Sequence, residues 1–111
     1  MSDLIPSPSD SGTGPVLVLV DSAFEPLIPK FMANRNKEVA AMREAIAKRD
    51  FETIRQLAHG MKGVSGSYGF HGMTTIAGRM EDAAKAADGA SIHQDLVELA
   101  SYLKRVEITY E

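Results

Sequence analysis

The stretch Leu57-Ala58-His59-Gly60-Met61-Lys62-Gly63, which continues through Val64-Ser65-Gly66-Ser67-Tyr68-Gly69-Phe70, gives one predicted helix two different sides. At about 100° per residue, its apolar stripe consists of Ile54, Leu57, Ala58 and Met61. The same wheel turns His59 roughly opposite that stripe, into solvent. The outward sector around His59, within about 60° of it, also holds Arg55, Lys62, Gly63 and Gly66.

Three glycines inside this helix indicate a constraint other than helix stability. Each costs about 1 kcal/mol relative to alanine, and a small domain has only about 5–15 kcal/mol of stability. Because Gly63 and Gly66 share the side of His59, we expect their missing side chains to open a concavity beside the imidazole. Gly60 faces elsewhere, and we assign it to close helix packing.

The rest of the chain predicts three more amphipathic helices. We expect the first to follow an N-cap at Asp21-Ser22, to start near Pro26 to Pro29 and to run to about Lys48. The second should run from an Asp50 N-cap to Tyr68-Gly69, and the third from His71 or Gly72 to Ala87. A capping box at Ser91 and Gln94 opens the fourth, whose inner face reaches Val106. Short connections between them predict an all-α fold, an antiparallel up-down four-helix bundle.

The first 20 residues differ from the bundle that we expect over residues 21–111. Residues 1–15 are rich in Ser, Pro, Gly and Asp and predict a flexible tail, because they offer little apolar surface to bury. Val16-Leu17-Val18-Leu19-Val20 has strand composition, but we find no second strand for it to pair with. An extended arm on the helices is therefore expected instead of a sheet.

Composition limits the function classes. The 111 residues suffice for one domain with a core. The formal net charge of -3 disfavours a nucleic-acid or anionic-membrane partner, and the lack of cysteine excludes disulfides, thiolate zinc sites and a cysteine nucleophile. No apolar run is long enough for a membrane span, and the N-terminus does not have the pattern of a secretory signal. A monomeric cytoplasmic protein is the expectation.

The residue types around His59 suit phosphoryl transfer. A neutral imidazole is a nucleophile that can attack an activated phosphorus. Lys62, three residues later on the helix surface, can neutralise charge on a group bonded to that imidazole. The same residues also fit a plain solvated helix face with glycines at a weak helix end.

This stretch resembles the signature of histidine-containing phosphotransfer (HPt) domains: an apolar residue, Ala58-His59, two variable residues, Lys62-Gly63, small residues, then Gly69 after an aromatic residue. Ala45-Ile46 before Asp50 and Met80-Glu81 with Ala84 are similar to other parts of the family pattern, and the layout matches over residues 22 to 108. Gly60 and Val64 stand where larger or hydroxylated residues are common.

The resemblance implies a carrier in a multistep phosphorelay of two-component signalling. His59 would be phosphorylated at Nε2, Lys62 would stabilise the phosphoryl group, and Gly63 would keep the approach open. The group would come from a receiver aspartyl phosphate and pass to another receiver, on response regulators or hybrid histidine kinases. The magnesium would belong to the receiver, so no cofactor and no kinase activity are expected here. We expect Arg55, Gln56 and Gly66 to contact the receiver.

Three other interpretations use the same residues. A metal-binding bundle would need Glu-x-x-His pairs, but Gln56 takes the Glu position before His59. A phosphate-binding loop at Gly63, Gly66 and Gly69 would need a preceding strand and a Gly-Lys-Ser/Thr order. A helical adaptor that binds a receiver without being phosphorylated stays open. The other histidines, His71 and His93, are expected to cap locally or face solvent.

Overall fold

A computed structural model describes residues 14–111 of the chain. Its elements in order are strand β1 (Val16–Val20), a 3₁₀ segment (Ser22–Leu27), helices α1 (Ile28–Ala47), α2 (Phe51–Tyr68), α3 (His71–Lys85) and α4 (Gly89–Arg105), and strand β2 (Val106–Tyr110). Each helix packs on the next along the chain, and α4 returns to α1. This confirms the predicted four-helix bundle. The flexible tail predicted for residues 1–15 lies almost entirely outside the described residues.

The ends of α2 were predictable because their causes are local. The Asp50 carboxylate accepts a hydrogen bond from Thr53 N at 3.1 Å, which satisfies one of the free amides of the first turn. At the other end Gly69 has φ of +95°, the left-handed conformation in which a side chain is strained. The two caps fix the length of α2 and therefore the position of His59 near its middle.

The start of α4 differs from the prediction. Ser91 is not the N-cap; Asp88 is, and its carboxylate accepts from Ser91 N at 3.1 Å and from Ser91 Oγ at 2.7 Å. The reason is that α3 ends at Lys85, before the predicted Ala87, and Ala87 has φ of +53°, so the turn is tight and α4 begins at Gly89. The capping side chain is therefore an aspartate three residues earlier.

Two strands replace the expected unpaired arm. β1 pairs in parallel with β2, with Val16 opposite Val106 and Val20 opposite Tyr110. The prediction that β1 has no partner was wrong, and so was the extension of the fourth helix to Val106, whose backbone is extended. The segment from Val106 alternates β-branched or aromatic with polar residues, which is a strand pattern. It was assigned to the fourth helix because Val106 also fits the helical spacing of the apolar residues before it. The two chain segments thus tie the ends of the described chain together.

The core lies between the four helices and one face of the strand pair. Val18 and Val20 of β1 are buried in it, whereas Leu17 and Leu19 on the other face are exposed. Fully buried methionines contribute from three helices, and their flexible thioethers fill irregular space. The outer surface of α2 is left free of this packing.

Candidate functional site

His59 lies near the middle of α2 with 67% of its side chain exposed, which confirms the exposure that the helical wheel predicts. The ring is nevertheless held from one side. Its Nδ1 is 2.8 Å from Oε2 of Glu81 on α3, while no described residue bonds its Nε2. The imidazole therefore has one anchored and one free nitrogen.

Glu81 is the buried centre of a small charged cluster. Only 5% of its side chain is exposed, and its carboxylate also meets Lys62 Nζ at 2.7 Å and Lys85 Nζ at 3.8 Å. The hydrogen bond from Lys62, followed by the one from His59, lowers the pKa of Glu81 to about 2 despite the opposing effect of burial. Glu81 is therefore ionised at neutral pH.

The ionisation of Glu81 decides which nitrogen of His59 carries the proton. A carboxylate can only accept hydrogen bonds, so Nδ1 of His59 must be the donor. In the neutral imidazole the lone pair then lies on Nε2, the nitrogen without a partner among the described residues. The cluster consequently presents a nucleophilic nitrogen outward in a fixed ring orientation.

Lys62 lies between the carboxylate of Glu81 and solvent, with 41% of its side chain exposed. The hydrogen bond to Glu81 raises the pKa of Lys62, so its ammonium stays charged. A Cβ on Gly78 of α3 would come 3.5 Å from Lys62 Cδ, so the lysine stem lies directly over that glycine. Glu81 with Lys62 and Lys85 carries a formal charge of about +1 beside a neutral imidazole, which suits a phosphoryl dianion.

The three helix glycines differ in their surroundings. Gly63 is exposed, and a Cβ there would meet nothing within 4 Å, as expected for an open approach. Gly60 is equally open, so its assignment to close helix packing was wrong. A Cβ on Gly66 would meet Thr74 Oγ1 of α3 at 3.4 Å, so this glycine faces the α2–α3 contact and does not open the concavity we expected. A wheel of one helix does not show where the neighbouring helices lie, so it could not assign Gly60 and Gly66 correctly.

The two other predicted contact residues lie one turn before His59. Arg55 bonds Glu52 through Nε at 2.9 Å and Nη2 at 2.6 Å, and Gln56 Nε2 bonds the same carboxylate at 3.1 Å. They form a polar surface on α2, separate from the bonds that hold the imidazole. His71 and His93 are both exposed, in agreement with prediction, and neither joins the cluster.

Glu81 and Lys85 were not predicted as site residues. The available signal was a carboxylate at Glu81, four residues after Ala77 and next to Met80, on the apolar stripe of the third helix. A charge in such a position has to be paired. Lys85 follows four residues later, at the spacing of a helical ion pair.

The described part of the chain, residues 14–111, has no group of three or more His, Asp or Glu residues that could hold a metal ion. Within the same residues, no helix is both long and apolar enough to cross a membrane.

The family model described as Hpt domain matches residues 27–108 of the chain. No curated protein and no solved structure matches the chain. The matched range contains His59 and every residue of the cluster around it.

Proposed function

Since this chain belongs to the Hpt domain family, whose members are phosphocarrier modules of two-component signalling, we propose that His59 is its phosphorylated residue. In this proposal the chain is an intermediate of a multistep phosphorelay. It accepts the phosphoryl group from an aspartyl phosphate of one receiver domain, passes it to another, and has no kinase activity of its own.

The observation that carries the proposal is the 2.8 Å bond between His59 Nδ1 and the ionised carboxylate of Glu81. In the transfer step Nε2 attacks phosphorus, the N–P bond forms, and the bond to the aspartyl oxygen breaks to release a carboxylate. The ring becomes cationic because Nε2 gives up its lone pair while Nδ1 keeps its proton. Glu81 stabilises that charge from the buried side, and no proton has to leave.

Lys62 and Gly63 serve the other side of the transfer. One N–H of the Lys62 ammonium bonds Glu81, so two more can meet oxygens of a phosphoryl group on His59. Lys85 keeps a second cation near Glu81 when Lys62 leans toward the phosphoryl group. The open space at Gly63 lets the receiver bring its aspartyl phosphate in line with Nε2.

Receiver domains of response regulators or hybrid histidine kinases are the proposed partners, with magnesium supplied by the receiver. They would dock over the exposed side of α2 and part of α1, and contact Arg55, Gln56 and the part of Gly66 that is not turned toward α3. Partner choice would depend on complementary surfaces, as in other transient signalling contacts.

The experiment is to mix the protein with a receiver carrying labelled phosphate and to follow the label. We expect acid-labile, base-stable label on the wild-type chain and none on His59→Gln. His71→Gln and His93→Gln are matched controls, because both histidines are exposed but outside the cluster, and both should accept label normally.

The same mixture distinguishes the adaptor. A wild-type chain that binds the phosphorylated receiver but takes up no label would be a non-phosphorylated adaptor, and the proposal would be wrong. Label that still reaches His59→Gln would contradict the assignment of His59.

A further inference from the structure

The groove between α1 and α4 is a second surface with its own chemistry. It consists of two adjoining depressions of about 280 and 410 Å³, which share Arg43 of α1 and Val97 of α4. Val97, which lines both depressions, is 71% exposed. The groove therefore offers apolar surface that nothing in the described chain covers.

The charged side chains that line this groove are all cationic. Arg43 lines both depressions, Lys104 and Arg105 line one of them, and no carboxylate lines either. Neither Arg43 nor Lys104 has a hydrogen bond or ion pair with another described residue, and Arg105 bonds only Ser101 Oγ and the carbonyl oxygen of Gly14. The groove is therefore a cationic surface on a chain whose net charge is -3.

The groove is long enough for a helix of about three turns. His93, Val97, Ala100 and Lys104 follow the spacing i, i+4, i+7 and i+11, so they form one stripe along α4. At 1.5 Å per residue the stripe is about 16 Å long, or about three helical turns. Arg43 and Ala47 border it from α1.

From the exposed Val97 and the cations Arg43 and Lys104, which have no partner among the described residues, we propose that this groove binds an acidic amphipathic helix of a partner protein. Leucine-like side chains of that helix would cover Val97 and fill the two depressions, while its carboxylates would pair with Arg43 and Lys104. The site is independent of the proposed phosphotransfer, because α4 packs on α1 and α3, whereas His59 lies on α2. A partner held here leaves the imidazole accessible.

The test uses a labelled synthetic peptide of about three helical turns, with leucine at spacing i, i+4, i+7 and glutamate at the flanking positions. Fluorescence anisotropy should show saturable binding to the full chain that weakens as salt is added. Arg43→Glu combined with Lys104→Glu should weaken the affinity about tenfold or more, and Val97→Ser several-fold. Circular dichroism should show the same helix content in all variants, since these side chains are exposed.

Lys30→Glu is the matched control, because Lys30 is also an exposed cation of α1 without an ion pair among the described residues, but does not line the groove. Lys30→Glu and His59→Gln should both keep wild-type affinity. Equal binding of a peptide with lysine in place of glutamate, or an equal loss in Lys30→Glu, would overturn the proposal.

Two other occupants would also overturn it. A concentration-dependent dimer that the double charge reversal abolishes would assign the groove to a second copy of this chain. A shift of the amide resonances of Val97 and Lys104 on removal of residues 1–13 would assign the groove to the N-terminal segment of the same chain.

Discussion

The hydrogen bond between His59 Nδ1 and Glu81 Oε2 is the contact on which the proposed chemistry depends most. It joins an exposed ring to a buried carboxylate. We expect Glu81→Gln to slow phosphoryl transfer to His59 by roughly ten- to hundredfold. The amide keeps the shape of the side chain but cannot stabilise a cationic ring. The rate of phosphoryl transfer is measured by stopping the reaction with one phosphorylated receiver at successive times and counting the label on the chain.

Glu44→Gln is the control for that substitution, because it removes an exposed carboxylate of α1 outside the cluster. Its transfer rate should equal that of the wild type. A Glu81→Gln protein with an unchanged rate would mean that the carboxylate has no part in the transfer.

The depressed pKa of Glu81 predicts an acid-dependent loss of stability. The group titrates near 2 in the folded chain and near its ordinary 4.5 when unfolded, so between these values the unfolded chain binds more protons. The stabilisation is complete above about pH 4.5 and is lost as the pH falls toward 2. Urea unfolding from about pH 5 to about pH 3 should show a steeper loss for the wild type than for Glu81→Gln. Parallel curves would contradict the low pKa.

Two glycines on neighbouring helices predict opposite results for the same substitution. Gly63→Ala should raise the free energy of unfolding by up to about 1 kcal/mol, because alanine favours the helix and its Cβ meets nothing. Gly72→Ala should lower it by about 1–3 kcal/mol, because the new Cβ would lie 2.8 Å from the Tyr102 ring. Urea unfolding measures both, and a destabilised Gly63→Ala would show that α2 is not open there.

A larger residue at Gly63 separates stability from function. Gly63→Leu should keep the helix content but slow transfer, because its side chain would project where the receiver approaches in the proposed function. Gly60→Leu is the matched control, because Gly60 lies about one turn before Gly63 on the same helix and is equally open. Equal rates for the two variants would remove the reason for a glycine at Gly63.

Much of the helix-level structure could be predicted because the deciding interactions are local. The Asp50 cap, the left-handed Gly69 and the exposure of His59 all depend on residues within one or two turns. The bond between His59 and Glu81 spans 22 residues and depends on how α2 meets α3, so a single-helix wheel could not supply it.

At the scale of the whole molecule, the parallel pair of β1 and β2 was the main structure that the sequence did not predict. Its two strands lie at opposite ends of the described chain, and parallel partners that far apart leave no turn signature. The alternation in β2 was visible, but Val106 also continued the apolar stripe of the fourth helix.

The strand pair makes a testable contribution to stability. Val20 is fully buried at the end of β1, so Val20→Ala should lower the free energy of unfolding by about 2 kcal/mol. Leu17→Ala, on the exposed face of the same strand, should change it by less than about 0.5 kcal/mol. Equal effects in urea unfolding would mean that β1 does not cover the core in solution.

The most direct measurement is a ³¹P–¹⁵N coupling spectrum of the chain, labelled with ¹⁵N in its histidine rings and phosphorylated by a receiver. The ionised Glu81 keeps the proton on Nδ1 of His59, so we predict coupling of phosphorus to Nε2 of that ring alone. Coupling to Nδ1, or to the rings of His71 or His93, would contradict the account.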